Sequence, residues 1–223
     1  MMNLELLFNA TRLSGDSSFY KIAVSHADKT LQSHYRPDNS CYHVVNYSLS
    51  DGSVSKRCTA QGYSDESSWA RGQAWGIYGF TMCYRETHNI KYLRHAQKAF
   101  EFVVKNKNFP IDFVPYWDFD APKIPNEPRD ASSAAILASG LYELSKYENP
   151  EYYKGWADKI MQSLASPAFR AKLGENGNFI LMHSVGSIPH GNEIDVPLNY
   201  ADYYFLEALK RKSNMEGKLT LNN

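Results

Sequence analysis

The chain has 223 residues, 43% of them hydrophobic, enough to bury a core in one large domain or a part of one. Its 24 basic and 24 acidic residues cancel, which excludes nucleic acid as the main partner, because phosphate binding needs a basic surplus. No run approaches the ~18 apolar residues of a membrane span, and the opening MMNLELLFNATRLSG has no basic start and is interrupted by Glu5, unlike a signal peptide.

From the N-terminus onward, hydrophobic spacing predicts seven helices, at about 1–14, 17–34, 66–86, 90–106, 130–147, 150–165 and 197–212. Three helix–turn–helix stretches resemble one another. Each turns at a polar pair (Gly15-Asp16, His88-Asn89, Glu148-Asn149) and opens its second helix near a tyrosine, Tyr20, Tyr92 or Tyr153. Apolar residues follow seven and eleven positions later: Ala27 and Leu31, Ala99 and Val103, Ile160 and Leu164. That spacing is one helical face. Between the second and third helices, CYHVVNYSLSDGSVSKRCTAQG alternates around Asp51-Gly52 and reads as a β-hairpin. The stretches 107–129 and 174–197 read as irregular loops. Trp117, Phe119, Asp118 and Asp120 give the first the character of an ordered rim.

Repeated αα-hairpins with long loops at one end predict an all-α fold, an incomplete (α/α)6 toroid with a small β-hairpin insertion, in a single domain over 1–223. Seven helices make three and a half of the six hairpins a closed ring needs. Met1 falls inside an apolar helix with no N-cap residue before it, the mark expected of a fragment. The competing architecture is an open αα-solenoid that binds sugars or proteins without catalysis.

The segment SSWARGQAWGIYGF, residues 67–80, concentrates the candidate chemistry. Gly72, Gly76 and Gly79 sit inside a predicted helix, where each costs ~0.5–1 kcal/mol relative to Ala. They imply close packing or something approaching the backbone. Arg71 and Trp75 are four apart and share a helix face. Thr59 and Gln61 share one face of the hairpin's second strand. With the turn at Asp51-Gly52, His43 pairs opposite about Ala60. His43, Thr59, Gln61, Arg71 and Trp75 then converge, offering hydrogen bonds, a guanidinium for anions and an indole for stacking. Trp69 reads as core and Asp130 as an N-cap. His183, His190 and Asp195 have no diagnostic metal spacing, and Cys41, Cys58 and Cys83 form no metal or disulfide pattern.

The segment YHVVNYSLSDGSVSKRCTAQGYSDESSWARGQAWGIYGF, with PYWDFD, RDASSAAILASGLYEL and NEIDVPLNYADYYFLEAL, resembles the unsaturated glucuronyl hydrolases of glycoside hydrolase family 88. The resemblance runs over essentially the whole chain, and WARGQAW after a Gln-Gly turn is its most specific motif. A sister family acting on unsaturated rhamnogalacturonan is similar in fold and differs in this motif. The resemblance implies an (α/α)6 barrel and an oligosaccharide substrate, left by a lyase, with a 4,5-unsaturated uronic acid at its non-reducing end. It implies that an Asp protonates C4 of the vinyl ether and water adds at C5. The hemiketal then opens and releases the second sugar. No metal or organic cofactor, nucleic acid or membrane partner is implied.

Residue by residue, His43, Gln61, Arg71 and Trp75 match positions lining that family's pocket, with Thr59 a weaker match. Trp75 would stack on the sugar and Arg71 would serve its polar or charged groups. Ser184 and Ser187 match a loop at the second sugar site, where Pro189 replaces a lysine that some relatives use for sulfate. The family's two key aspartates fall upstream of this sequence, the acid just before Met1. The chain is therefore expected to be the C-terminal three-fifths of such an enzyme, nearly inert alone. A soluble protein of the cytoplasm or periplasm is expected.

Overall fold

The computed structural model describes residues 1–217. Its helices are α1 (Leu4–Ser14), α2 (Ser17–Ser33), α3 (Ala70–Thr87), α4 (Ile90–Lys105), α5 (Ala131–Leu144), α6 (Pro150–Leu164) and α7 (Asn199–Met215). Strands β1 (Val44–Tyr47) and β2 (Val54–Cys58) pair antiparallel, as do β3 (Ser184–Ser187) and β4 (Asn192–Val196). All seven expected helices are present. No helix among the described residues is long and apolar enough to cross a membrane.

Local chemistry sets the helix ends. Asp16, Asn89 and Asp130 cap α2, α4 and α5 through the backbone N–H groups of Ser18, Lys91 and Ser132. Gly15 closes α1 in the left-handed conformation, and Pro150 sits in the first turn of α6. The start of α3 differs from expectation: it lies at Ala70, not at 66, and its N-cap is Trp69. The preceding turn is pinned from outside. Asp118 accepts from the Tyr63 N–H (2.9 Å) and the Ser67 hydroxyl (2.7 Å), and Asp120 from the Ser68 N–H (2.9 Å). The loop holding these acids is thus an anchor rather than a rim, with Trp117, Asp118 and Phe119 all buried.

The helices form two layers. α1, α3, α5 and α7 follow one another in an arc, each outer helix (α2, α4, α6) packing beside its partner. α5 is central and every one of its 14 residues is buried. Gly140 lets it close on α3, since a Cβ there would lie 3.2 Å from the Tyr78 Cα. The outer helices are amphipathic: α4 turns Tyr92, Leu93, Ala96, Ala99, Phe100 and Val103 inward. Of the three repeated tyrosines, Tyr92 and Tyr153 are buried but Tyr20 is exposed. The arc is also tied electrostatically. Buried Glu143 of α5 accepts from Arg85 of α3 (2.7 Å) and Arg211 of α7 (2.6 Å), and Arg85 reaches Glu5 of α1. Both flanks of the arc expose apolar side chains among the described residues: Leu6 and Leu13 on α1, Tyr203 and Leu206 on α7.

Candidate functional site

A cavity of about 480 Å³ opens between α2, the first turns of α3 and the β1–β2 hairpin. The glycines of α3 make it possible. A Cβ at Gly76 would stand 2.0 Å from the Tyr35 hydroxyl, and one at Gly72 would stand 2.8 Å from the Trp69 ring. Aromatic side chains therefore lie directly against the helix backbone. Trp75, half-buried, lines the cavity and meets Tyr204 edge-on at 5.0 Å. His26 and Thr30 of α2, with its C-cap residue His34, also line the cavity. Their spacing of four residues was the available signal, and it was missed.

His43 lies beside Thr59 rather than the expected Ala60: the strands join through a four-residue loop, 49–52, closed by the Ser48 N–H on the Ser53 carbonyl, instead of a two-residue turn at Asp51-Gly52, and the ladder shift between Asn46 and Tyr47 restores one of the two positions this displaces. The His43 Nδ1 accepts from the backbone N–H of Ala60 (3.1 Å) and of Gln61 (3.2 Å), and the Thr59 hydroxyl lies 3.3 Å away. The imidazole stacks on Trp69 at 4.2 Å and 29°. Trp69, expected in the core, is buried as expected and also forms part of the cavity wall. Burial pushes the His43 ring down to about 4, helped by the positive charges of Arg71 and His34.

Arg71 departs from expectation. It shares a helix face with Trp75 but does not line the cavity. Its side chain is 4% exposed, and its guanidinium donates to Asp130 (3.0 Å), to the Gly186 carbonyl (2.9 Å) and to the Val185 carbonyl. It lies over the Trp69 ring at 4.5 Å and the Tyr200 ring at 5.3 Å. A buried cation needs a carboxylate and further acceptors, and Asp130 with the β3 carbonyls supplies them. Asp130 thus caps α5, as expected, and neutralises Arg71 as well.

The expected residues therefore fall into three groups. His43 and Trp75 border the cavity. Thr59 and Gln61, half-buried, support the His43 ring. Arg71 lies behind Trp69, and beyond it Ser184 and Ser187 belong to β3, whose four residues are all buried. Among the described residues the Ser184 hydroxyl has no hydrogen-bond partner, and that of Ser187 meets the His190 Nδ1 at 2.5 Å. The segment 174–197, expected to be irregular, carries this second hairpin. Elsewhere, His183 pairs with Asp195 at 2.6 Å. Among the described residues no group of three His, Cys, Asp or Glu is placed to hold a metal, and the three cysteines are free.

No family model matches the chain. It is 52% identical over 215 residues to an unsaturated glucuronyl hydrolase of Formosa agariphila, covering 96% of this chain and 54% of that protein. It superposes on the crystal structure of an unsaturated glucuronyl hydrolase specific for heparin with a TM-score of 0.96 and 44% identity, over 100% of this chain and 60% of the other. The chain belongs to the unsaturated glucuronyl hydrolases of glycoside hydrolase family 88. A variant of such a hydrolase from Streptococcus agalactiae, complexed with dGlcA-GalNAc6S, matches with a TM-score of 0.82 and 34% identity, over 94% of this chain and 56% of that one. The α/α toroid of these hydrolases accounts for the arc of paired helices. The chain spans about half the length of the curated relatives it matches.

Proposed function

We propose that this chain forms the sugar-binding wall of a hydrolase that removes the 4,5-unsaturated uronic acid from the non-reducing end of lyase-generated oligosaccharides. The observation that carries the reading is the cavity itself, with Trp75 and Trp69 presenting aromatic surface and His43 a fixed polar group. Stacking on the indole suits a sugar ring. In such a reaction a proton adds to C4, water adds to C5, and the hemiketal opens to release the second sugar.

None of the residues lining the cavity is a carboxylate. This supports the reading that the general acid comes from a segment upstream of residue 1, and that residues 1–223 form a single domain belonging to a longer barrel. General acid–base catalysis contributes ~10²–10⁴-fold, so the 223-residue chain should bind the sugar and turn it over barely or not at all. The same observation favours a second reading for the chain alone, sugar binding without catalysis.

The test is the ultraviolet absorbance of the substrate's double bond. The chain mixed with an unsaturated glucuronyl disaccharide should leave it unchanged. A longer protein carrying an Asp within a residue or two before Met1 should bleach it, and Asp→Asn there should abolish bleaching. Bleaching at an ordinary enzymatic rate by the 223-residue chain would place the acid within it and overturn the reading.

A further inference from the structure

We propose that Asp118 and Arg36 are positioning residues for the cavity: they brace the backbone of the turn 59–68 from two sides and so fix the wall formed by Trp69 and His43, without reaching the ligand. The positioning role rests on the cleft reading above; the brace does not.

The turn leads from the end of β2 into α3. An irregular turn has no ladder to pair its N–H and C=O groups, which must find partners elsewhere. Within it, Asp65 accepts from the Thr59 N–H and the Thr59 hydroxyl from the Gly62 N–H, both at 2.8 Å. Two charged side chains from other elements take further groups.

Asp118, on the loop before α5, is fully buried. Its Oδ2 accepts from the Tyr63 N–H (2.9 Å) and the Ser67 hydroxyl (2.7 Å), and its Oδ1 from the Asp120 N–H (2.9 Å). Burial pushes this carboxyl above its ordinary range, and these hydrogen bonds oppose the rise. The turn rests directly on it: a Cβ at Gly62 would stand 3.0 Å from the Asp118 Oδ2 and 3.2 Å from the Trp69 Cβ. The same loop pairs with the approach to α3. The Ala70 N–H donates to the Trp117 carbonyl (3.1 Å) and the Phe119 N–H to the Ser68 carbonyl (3.0 Å). That short ladder holds Trp69, the indole on which His43 stacks.

Arg36 follows α2 and grips the turn through its carbonyls. Its guanidinium donates to those of Asp65 (3.2 Å) and Ser67 (3.3 Å), and also to the Ser40 hydroxyl and the Cys41 carbonyl, both at 3.2 Å. It lies over the Tyr42 ring at 3.8 Å, with Glu66 3.4 Å from Nε. The labour is divided by polarity: the acid takes donors of the turn, the base its acceptors. Cys41 feels both charges and lines the cavity, whereas neither Arg36 nor Asp118 does. The brace reaches the wall through the N–H groups of Ala60 and Gln61, which donate to the His43 Nδ1 at 3.1 and 3.2 Å. If the turn shifts, the imidazole must follow or lose both.

Conservative substitutions expose the role. Each Asp118 oxygen accepts from a backbone N–H, which cannot reverse its polarity. In Asp118→Asn one oxygen becomes an NH2 group set against an N–H. In Arg36→Lys a single ammonium replaces the planar fork and cannot span both pairs of acceptors.

Two measurements on the 223-residue chain test this. Deuterium exchange of the ligand-free chain, read by mass spectrometry, should accelerate across 59–68 in both variants, with α6 and α7 at parent rates. Unchanged exchange across 59–68 in both overturns the brace. Titration with an unsaturated glucuronyl disaccharide, followed by tryptophan fluorescence, should show affinity about five- to tenfold weaker in both, the equivalent of one hydrogen bond. Glu143→Gln, which cuts the ion pairs to Arg85 and Arg211, controls for lost stability and should bind as the parent does. Accelerated exchange with parent affinity overturns the positioning role, and so does an equal loss of affinity in Glu143→Gln. Should Asp118→Asn fail to fold, Arg36→Lys carries both readouts. A parent chain that binds no sugar overturns the cleft reading and the positioning role with it, while the brace stands or falls on the exchange.

Discussion

The two β-hairpins and their flanks carry five of the residues expected to meet a sugar, yet they differ in burial. The approach to β1 and the end of β2 place His43, Thr59 and Gln61 at half-buried positions beside the cavity. β3 places Ser184 and Ser187 inside, its carbonyls held by Arg71. A motif match locates both sets near one end of the barrel. Arg71 makes part of that difference, because its captured guanidinium ties β3 down through the Val185 and Gly186 carbonyls.

That difference breaks most visibly at the clamp. Asp130→Asn keeps the cap of α5 but leaves the Arg71 cation buried without its carboxylate. Losing one partner of a buried pair costs about 3–5 kcal/mol, and the urea midpoint should fall accordingly. Hydrogen exchange should accelerate first at 184–196, with the β1–β2 amides less affected. Equal loosening of both hairpins would show that the clamp does not separate them.

On the open side, the sharper probe is Gly76. Gly76→Ala sets a Cβ 2.0 Å from the Tyr35 hydroxyl, and overpacking of this kind costs about 1–3 kcal/mol. Tyr35→Phe removes the clashing oxygen, so the double variant should recover most of the loss. A Gly76→Ala protein as stable as its parent would mean that Tyr35 does not rest on α3 and that the floor of the cavity is looser than described.

How far all this was legible follows from where each cause lies. The helices were readable because their causes are local: caps at Asp16, Asn89 and Asp130, and one apolar face per outer helix. The first hairpin was readable from its alternation and Asp51-Gly52, although its register missed by one residue, because the connection closes between Ser48 and Ser53 as a four-residue loop rather than a two-residue turn, offset in part by the shift between Asn46 and Tyr47. The second hairpin was not readable. β3 is Ser-Val-Gly-Ser, buried throughout, and its partner strand holds Glu193 and Asp195 at positive φ, so no alternation shows. Arg71 was placed on the correct helix face, but its fate depends on Asp130, 59 residues away, and on a β-strand not foreseen. The cavity was half legible: the glycines signalled a close approach to the α3 backbone, while Trp69 and the α2 histidines needed the tertiary fold to bring them together.

The smallest expected effect separates the two hairpins most cleanly. Ser184 is fully buried and its hydroxyl has no hydrogen-bond partner among the described residues. A buried polar group left unmatched costs about 1–3 kcal/mol, and an alanine in its place removes that cost together with one small contact. Ser184→Ala should therefore leave stability unchanged or raise it by up to ~1 kcal/mol, read as a small upward shift in the urea midpoint. Affinity for an unsaturated disaccharide, measured by tryptophan fluorescence, should not change either, because the hydroxyl is fully buried. His43→Gln, on the open hairpin, should weaken that affinity. If Ser184→Ala instead weakens sugar binding while leaving the fold intact, β3 must open when the ligand arrives, and the contrast between a sealed and an open hairpin would hold only for the ligand-free chain.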